Sequence, residues 1–445
     1  MMRPILLAWL ALASSVDAQA STPNVVFIMT DDVGYGDIGS YGAPDVRTPN
    51  IDRLATEGTM FTDFYANAPV CTPTRAGFIS GRYQQRFGLE RPLSGPERER
   101  ANGAGLTANG RTLPRLLQAS GYATGLVGKW HLGYEVNQSP NAHGFDYFFG
   151  FKSGYVDYYE HTGGGGFDDL WENEQQVKVE GYMTDLITER SVAFIQDNTE
   201  RPFFLSVQYN AAHWPYQRPD APSVSRNNAV HLQPHSEDTS TRADYVAMLE
   251  RADEGIGVIV QALADGGLTE NTLVVFTNDN GGEWLSRNAP LFNRKWTVWE
   301  GGIRVPGIFR WPGVVPAGRV TDQVGITMDI TATILAVTNA VIPEDLTLDG
   351  INLLPIVMGQ APEEARTLYW RTANGRDRAV RSGDWKLVVQ GSQGGRPSFV
   401  YNVRRDVGER NDMANIRQDV ARRLRGLLDD WEAEVNAEAE GGGSR

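Results

Sequence analysis

Two uninterrupted apolar segments, each followed at once by carboxylate and amide side chains, constrain the fold of this chain most. Residues 24–29 (NVVFIM) run into Asp31 and Asp32, and residues 272–277 (TLVVFT) run into Asp279 and Asn280. Strands that are apolar at every position are typical of parallel sheets covered on both faces. Ligands of open α/β sheets bind beyond the carboxyl ends of such strands. We therefore expect these four polar residues to share one site.

Helical patterns alternate with the strands along the first three quarters of the chain. A third strand is predicted at 203–209 (FFLSVQY), and helices are predicted near 48–58, 112–121 and 241–264. This alternation indicates an α/β fold with a doubly wound, mostly parallel sheet sandwiched by helices. After residue 362 four short strand patterns separated by turn residues predict a small antiparallel sheet, followed by an amphipathic helix at 416–437.

The N-terminus has the pattern of a cleaved secretory signal. Arg3 precedes an apolar run at 5–13, and small residues follow up to Ala18 or Ala20. The prediction is a periplasmic or secreted protein with four parts: a signal peptide at 1–20, a catalytic domain at 21–362, a C-terminal α+β subdomain at 363–440 and a disordered tail at 441–445. No cysteine lies near the predicted cleavage site and no later apolar run is long enough to span a bilayer, so we expect no membrane anchor.

The charge balance disfavours polyanionic partners. With 41 lysines and arginines against 55 acidic residues, the net charge is −14. Such a field repels nucleic acid and anionic lipid surfaces. An anionic substrate would therefore need a local cluster of cations.

Cys71 is the only cysteine, which excludes an intramolecular disulfide and a cysteine-built zinc site. Pro73 suits a first helical turn, so Cys71 is predicted at a helix N-terminus, where a thiol pKa falls and a thiolate nucleophile is favoured. A buried, inert cysteine is the alternative. The motif taken alone leaves both interpretations open.

Further motifs give the cysteine its context. Cys71-Thr-Pro-Thr-Arg75, with Gly81-Arg82 downstream, resembles the signature of type I, formylglycine-dependent sulfatases of the arylsulfatase kind. The family's other motifs follow in the same order: Asp31-Asp32 upstream, then Gly128-Lys129-Trp130-His131, His213, Asp279-Asn280 and Lys295 with Glu300-Gly301-Gly302. The resemblance extends from about residue 24 to the C-terminal strands.

This resemblance implies an alkaline-phosphatase-like fold and two additions to the chain. One is a divalent cation, usually Ca²⁺ with Mg²⁺ possible, held by Asp31, Asp32, Asp279 and Asn280. The other is conversion of Cys71 to formylglycine by a maturation enzyme. Oxygen ligands suit a hard cation. An Asp-Asp pair after a strand is often only a helix cap, but the matching Asp279-Asn280 favours the metal interpretation.

The resemblance also implies a reaction. A hydroxyl of the hydrated aldehyde attacks the sulfur of a sulfate ester, and the sulfated hemiacetal then expels sulfate. Arg75, one helical turn after Cys71, is expected to hold the hydrate. Lys129 and His131 are expected to share a strand face, with Lys129 on the nucleophile and sulfate and His131 as the base of the second step. His213 and Lys295 are assigned to the leaving group, and which one gives the proton stays open.

One segment departs from the family pattern. Many relatives carry small residues before the lysine, whereas here Lys295 lies between Arg294 and Trp296. Arg294 is interpreted as solvated instead of as an added active-site cation. The remaining histidines match no family motif and are expected to be structural or exposed: His143, His161, His231 and His235.

The sequence carries less information on the substrate. Trp214 and Tyr216 follow His213, and residues 155–171 are rich in aromatic and acidic side chains. These aromatic rings suit either sugar stacking or wall packing. An exported enzyme meets sulfated polysaccharides, so a sulfated carbohydrate is favoured over an aryl sulfate. The alternatives are a phosphate or phosphonate monoester hydrolase of the same fold, and a non-catalytic binder of sulfated glycans.

Overall fold

The structure is a computed structural model that describes residues 22–220, 240–391 and 397–442. Its strands are β1 (Asn24–Thr30), β2 (Thr59–Phe61), β3 (Phe64–Tyr65), β4 (Ala123–Lys129), β5 (Tyr147–Phe151), β6 (Trp171–Glu172), β7 (Gln175–Gln176), β8 (Phe203–Gln208), β9 (Thr272–Asn278), β10 (Gly307–Arg310), β11 (Arg319–Thr321), β12 (Gly325–Ile326), β13 (Thr367–Arg371), β14 (Asp377–Ser382), β15 (Trp385–Gln390) and β16 (Ser398–Asn402). Its α-helices are α1 (Pro49–Thr56), α2 (Cys71–Ser80), α3 (Pro96–Asn102), α4 (Leu113–Ala119), α5 (Met183–Asp197), α6 (Arg242–Asp265), α7 (Glu300–Ile303), α8 (Thr327–Val337), α9 (Leu354–Val357) and α10 (Gln418–Gly442).

A mostly parallel sheet forms the centre of the protein. Within the described residues it has ten strands in the order β11-β2-β10-β9-β1-β8-β4-β5-β6-β7. β1 lies between β8 and β9 and is parallel to both, and β4 continues the parallel part between β8 and β5. β10 and β6 are antiparallel to their neighbours. The predicted fold class is therefore confirmed, and the three predicted strands correspond to β1, β8 and β9.

Helices cover both faces of the sheet because the central strands are apolar on both. In β1, Val26 and Ile28 pack into the cluster that contains the apolar faces of α1, α5 and α6. Val25 and Phe27 point to the opposite face and pack with residues of α2, α4 and α8. This alternation explains why the apolar run of β1 is continuous. The helices predicted near 48–58, 112–121 and 241–264 correspond to α1, α4 and α6.

The C-terminal part has its own small sheet. β13 to β16 pair antiparallel in chain order, as the turn-rich sequence predicts, and α10 packs against them in a shared apolar cluster. α10 runs to Gly442, so the helix extends past the predicted end at 437 into the segment predicted as a tail. The predicted signal at 1–20, the end of the tail at 443–445, His231 and His235 lie outside the described residues. The domain boundary at residue 362 stays a prediction.

A buried ion network joins this sheet to the main body. Lys386 of β15 is fully buried, and its Nζ lies 2.8 Å from Glu300 Oε1 and 3.0 Å from Glu409 Oε1. Arg304 also contacts Glu300 and reaches Asp63, beside β3.

No helix in the described ranges combines the length and the apolar composition that crossing a bilayer requires.

Replacement of Lys386 should test this network. Lys386→Met would leave two carboxylates without their shared cation in the interior, and removing one partner of a buried ion pair costs roughly 3–5 kcal/mol. We expect a fall of that size in the free energy of unfolding, measured by urea titration. Lys178→Gln, which removes an exposed partner of Asp168, is the control and should leave the midpoint near that of the wild type. Equal midpoints for both variants would contradict the account.

Candidate active site

The two central strands bring the polar residues that follow them to one edge of the sheet. Thr30 is in register with Asn278 and donates a hydrogen bond to its Oδ1 at 2.9 Å. The backbone N–H of Asp32 donates to Asp279 Oδ1 at 3.4 Å. All four side chains singled out at this edge are buried: Asp31, Asp32, Asp279 and Asn280.

Each of the three buried carboxylates has its own cation. Lys129 Nζ lies 2.5 Å from Asp31 Oδ2, and Lys295 Nζ lies 2.7 Å from Asp32 Oδ2. An N–H of Arg75 donates to the third, Oδ2 of Asp279, at 3.0 Å. We call these contacts the three ion pairs. They connect β1 and β9 with β4, with α2 and with the segment before α7.

The pKa values of these acids diverge because their partners differ. Burial raises the pKa of Asp31 to about 8, and the neighbouring charge of Asp279 adds to this effect against the opposing effect of Lys129. Burial also acts on Asp32, but Lys295 and His213 together bring its pKa to about 2. Ionised Asp31 therefore depends on nearby positive charge more than Asp32 does.

The residues at this edge fit a hard divalent cation. Asn280 Oδ1 is buried without a hydrogen-bond partner, while its Nδ2 donates to Asp32 Oδ1 at 2.7 Å. Ligand atoms of Asp31, Asp32, Cys71 and His213 all lie within 4.8 Å of one another, close enough to surround one ion, and the two carboxylates among them are hard oxygen ligands. Asp279, predicted as a ligand, is not part of that tight group. An added positive charge would also stabilise ionised Asp31.

Cys71 begins α2, as predicted, but its surroundings do not favour a thiolate. Its Sγ lies 3.6 Å from Asp31 Oδ1. Burial raises the pKa of the Cys71 thiol well above its ordinary value, and the negative charge of Asp279 raises it further. These effects oppose that of the helix N-terminus and disfavour a thiolate at residue 71 in this structure.

Arg75 lies one turn after Cys71 but contacts other groups than expected. Its guanidinium donates to the Lys129 carbonyl at 3.0 Å and to Gln208 Oε1 at 2.9 Å, besides Asp279. Its Nε–H is buried and has no partner. Within the described residues, the hydrogen bonds of Arg75 therefore go to the surrounding framework, and Nε–H and one N–H of Nη2 are left to donate to other groups.

His131 reaches the site by a different route from the predicted strand face. β4 ends at Lys129, and His131 follows in a left-handed conformation with φ of 58°. Its Nε2 lies 2.9 Å from the Leu93 carbonyl, which can only accept, so Nε2 carries the proton. Nδ1 then keeps its lone pair and is buried without a partner. Burial, with the charge of Lys129, lowers the pKa of His131 well below its usual range and keeps the ring neutral.

His213 follows β8 and approaches the acids from the other side. Its Nδ1 donates to the Trp214 carbonyl at 2.6 Å, and Nε2 lies 3.5 Å from Asp32 Oδ2. The Tyr155 ring lies parallel to the imidazole, with centroids 5.9 Å apart. Burial lowers the pKa of His213 to about 3, although Asp32 opposes this shift.

A cavity of about 540 Å³ opens onto part of this cluster. Four predicted site residues line it: Cys71, His131, His213 and Lys295. Its walls include the aromatic side chains of Tyr134, Tyr155, Phe167, Trp214 and Trp296. Lys129, Arg75 and the metal-ligand candidates are not among the lining residues. The cavity wall thus carries the groups that can reach a substrate, and the ion pairs support them.

Two residues of the site went unnoticed in the sequence. Glu283 lines the cavity, accepts a hydrogen bond from Trp296 Nε1 at 2.8 Å and lies 3.7 Å from Lys295 Nζ. The sequence signal for Glu283 is its position at the end of the run Asp-Asn-Gly-Gly-Glu, shortly after the predicted metal ligands. Gln208, which orients Arg75, was visible only as a polar residue near the end of an apolar strand.

Arg294 and Trp296, which depart from the family pattern on either side of Lys295, do not displace it, since Lys295 still contacts Asp32. Arg294 is exposed, as its interpretation as a solvated residue requires, and lies over the Trp284 ring. His143 and His161 are buried, and each bonds a backbone carbonyl, of Leu106 and Gly181 respectively. Neither lines the cavity, so their expected structural role fits.

Comparisons with known proteins agree with this geometry. The sulfatase family model matches residues 23–340, and the model described as N-sulphoglucosamine sulphohydrolase, C-terminal, matches 289–432. The chain is 33% identical to N-acetylgalactosamine-6-sulfatase of Canis lupus familiaris over 371 residues, covering 78% of this chain and 68% of that protein. It is 34% identical to arylsulfatase A of Bos taurus over 423 residues, covering 86% and 78%.

A solved structure extends the likeness to the fold. The crystal structure of Ps i-CgsB in complex with k-i-k-neocarrahexaose superposes with a TM-score of 0.82 at 30% identity, covering 94% of each chain. Two family models, curated relatives and a solved structure thus point the same way. The chain belongs to the sulfatase family and is a sulfuric ester hydrolase.

Proposed function

We propose that this sulfatase removes sulfate from sulfated carbohydrates. The observation that carries the proposal is the 540 Å³ cavity, where Cys71, His131, His213 and Lys295 face aromatic walls. Its size suits a sugar-sized ligand. Tyr155 and Trp214, with ring centroids 4.3 Å apart, form an aromatic wall of this cavity beside His213, which suits the apolar face of a sugar ring. Two names support a sulfated carbohydrate as the substrate class. One relative is an N-acetylgalactosamine-6-sulfatase, and one structural neighbour was solved in complex with k-i-k-neocarrahexaose.

Residue 71 acts as formylglycine in this proposal, after a maturation enzyme with an external two-electron oxidant converts the Cβ of Cys71 to an aldehyde and sulfur leaves as sulfide. One hydroxyl of the hydrated aldehyde attacks sulfur, and the bond between sulfur and the alcohol oxygen breaks. The second hydroxyl then loses its proton, the carbon–oxygen bond to sulfate breaks, and the aldehyde is restored. The raised thiol pKa supports this chemistry over direct attack by sulfur, because the unmodified thiol stays protonated.

Different side chains serve the two proton transfers, one to the departing oxygen and one from the second hydroxyl of residue 71. Nδ1 of His131 is a neutral, unpartnered acceptor next to the cavity, which suits removal of the proton in the second step. His213 and Lys295 both reach Asp32 Oδ2 from the cavity wall. Asp32 raises the pKa of Lys295, so its ammonium has a proton to give the departing oxygen, whereas neutral His213 must first take up a proton at Nε2 before it can assist. Lys129 and Arg75 hold Asp31 and Asp279 in position.

A divalent cation completes the site. Asp31, Asp32, Asp279 and Asn280 would hold Ca²⁺, or Mg²⁺ in its place. When bound, the ion polarises sulfate oxygens and lowers the pKa of the attacking hydroxyl.

We further propose that the segment 1–20 directs the enzyme to the periplasm or the medium, where sulfated polysaccharides occur.

Matched esters test the reaction class. We expect a higher kcat/KM for 4-nitrophenyl sulfate than for 4-nitrophenyl phosphate, and release of sulfate from at least one monosaccharide sulfate. A preference for the phosphate ester would favour the phosphohydrolase alternative. Binding of sulfated sugars without turnover of any sulfate ester would favour the non-catalytic binder.

Loss of one metal ligand should abolish both activity and metal-dependent stability. In the wild type, chelation should lower the melting temperature, because an ion at 100 times its Kd stabilises the folded state by about 2.7 kcal/mol. Asp279→Asn keeps the shape of the side chain but removes its charge, so we expect it to be inactive and insensitive to chelation. Asp265→Asn, at the exposed end of α6, is the control and should respond as the wild type does. Full activity of metal-free wild type would contradict the account.

Variants on the two sides of the site should block different steps. His131→Ala should form the sulfated hemiacetal at residue 71 and release sulfate slowly, so intact mass after mixing with an aryl sulfate should show a covalent adduct. His213→Ala and Lys295→Ala should slow formation of the adduct. Their loss should be larger on sugar sulfates, by roughly 100-fold or more, because general-acid assistance matters most for basic leaving groups. Adduct build-up in His213→Ala but not in His131→Ala would reverse the assignment.

A further inference from the structure

A second cavity of about 380 Å³ lies beside the active-site cavity. The two share Pro92 and Trp296 among their lining residues. The far wall of the second cavity comes from the connection between β13 and β14, including Arg376, and from Asp377, the first residue of β14. The C-terminal sheet thus borders a space that continues from the active site across Trp296.

Trp296 is held in an unusual conformation between the two spaces. Its φ is 76°, a region that bulky residues rarely adopt, and 52% of the residue is exposed. Its backbone N–H donates to the Pro69 carbonyl at 2.9 Å, and its indole N–H donates to Glu283. Strained conformations of this kind persist where the surroundings fix them, typically at ligand sites. The indole of Trp296 is therefore a fixed apolar partition between the two cavities.

Exposed aromatic rings are concentrated around this partition in the sequence. Among the described residues, the exposed tryptophan and phenylalanine side chains are Trp284, Phe292 and Trp296. All three lie within the segment 284–296, which also carries Lys295. Of these three rings, Trp296 is the one that lines both cavities, so its exposed indole borders the space that a ligand would occupy.

The charged residues of the second cavity differ in whether their side chains already have ion-pair or hydrogen-bond partners. Arg91 pairs with Glu99 at 2.6 Å, and Glu90 pairs with Arg371 at 2.7 Å. Arg376 is exposed and has no hydrogen bond or ion pair within the described part of the chain. Within the described residues, the carboxylate of Asp377 beside it accepts one long hydrogen bond, 3.5 Å, from the N–H of Gly391, while its backbone carbonyl accepts from Thr372. The cavity thus offers one uncommitted guanidinium and one carboxylate with accepting capacity.

We propose that the second cavity is a subsite for the sugar unit next to the one that loses its sulfate. Trp296 stacks on the pyranose face, Asp377 accepts hydrogen bonds from hydroxyls, and Arg376 binds a sulfate group on that unit, since a guanidinium fits a tetrahedral oxyanion through paired N–H donors. This inference rests on the proposed carbohydrate function. It makes the preferred substrate a sulfated oligosaccharide of at least two units, with sulfate on the neighbouring unit as well.

Inhibition by chain length tests the subsite. The hydrolysis of 4-nitrophenyl sulfate is measured with sulfated galactan, chondroitin and heparin hexasaccharides as competitors, each beside the sulfated monosaccharide of its series. In at least one series we expect the hexasaccharide to have an inhibition constant roughly tenfold or more below that of the monosaccharide, as a charge-assisted contact predicts. Arg376→Gln should remove most of this ratio. The matched control, Arg422→Gln on the exposed face of α10, should retain it.

The outcomes separate this inference from the function on which it rests. Equal constants for hexasaccharide and monosaccharide in every series, or an undiminished ratio in Arg376→Gln, would overturn the subsite while the sulfated monosaccharide is still hydrolysed. Turnover of the aryl sulfate with no binding or hydrolysis of any sugar sulfate would overturn the carbohydrate function itself. Trp296→Ala should also reduce the ratio, and an unchanged ratio would remove the stacking role.

Discussion

Three buried carboxylates, each neutralised by its own cation, hold the catalytic edge of this sulfatase together. The ends of β1 and β9 bring Asp31, Asp32 and Asp279 within reach of one another. Like charges at such distances repel strongly in a dry interior, so the arrangement depends on the three ion pairs. Because the cations come from α2, β4 and the segment before α7, pairing also fixes these elements against the sheet.

The position of residue 71 follows from this arrangement. Arg75, one turn further along α2, is fixed by Asp279 and by Gln208 at the end of β8. Thr72 donates to the His131 carbonyl at 2.9 Å and accepts from the N–H of Leu93 at 3.1 Å. Since Leu93 in turn holds the imidazole of His131, the first turn of α2 and the expected base are parts of one hydrogen-bonded unit.

Much of the fold was predictable because its central strands are apolar on both faces and end in polar residues. The same pattern indicated which sheet edge carries the site. The conformation of His131 was not predictable, since a left-handed residue after β4 depends on the surrounding contacts. The partners of Arg75 were hidden for a similar reason: Gln208 and Asp279 are far away in sequence. The second cavity combines segments near residues 69–92, 296 and 372–377, which only the folded chain brings together.

The most direct test of the account concerns the chemical state of residue 71. Trypsin should release residues 54–75 as one peptide, which carries the only cysteine of the chain. In preparations matured to different extents, mass spectrometry gives the fraction of this peptide that carries an aldehyde in place of the thiol. The account predicts that sulfatase activity rises in proportion to that fraction and vanishes when it is zero. A fully active preparation in which residue 71 is entirely free thiol would contradict it.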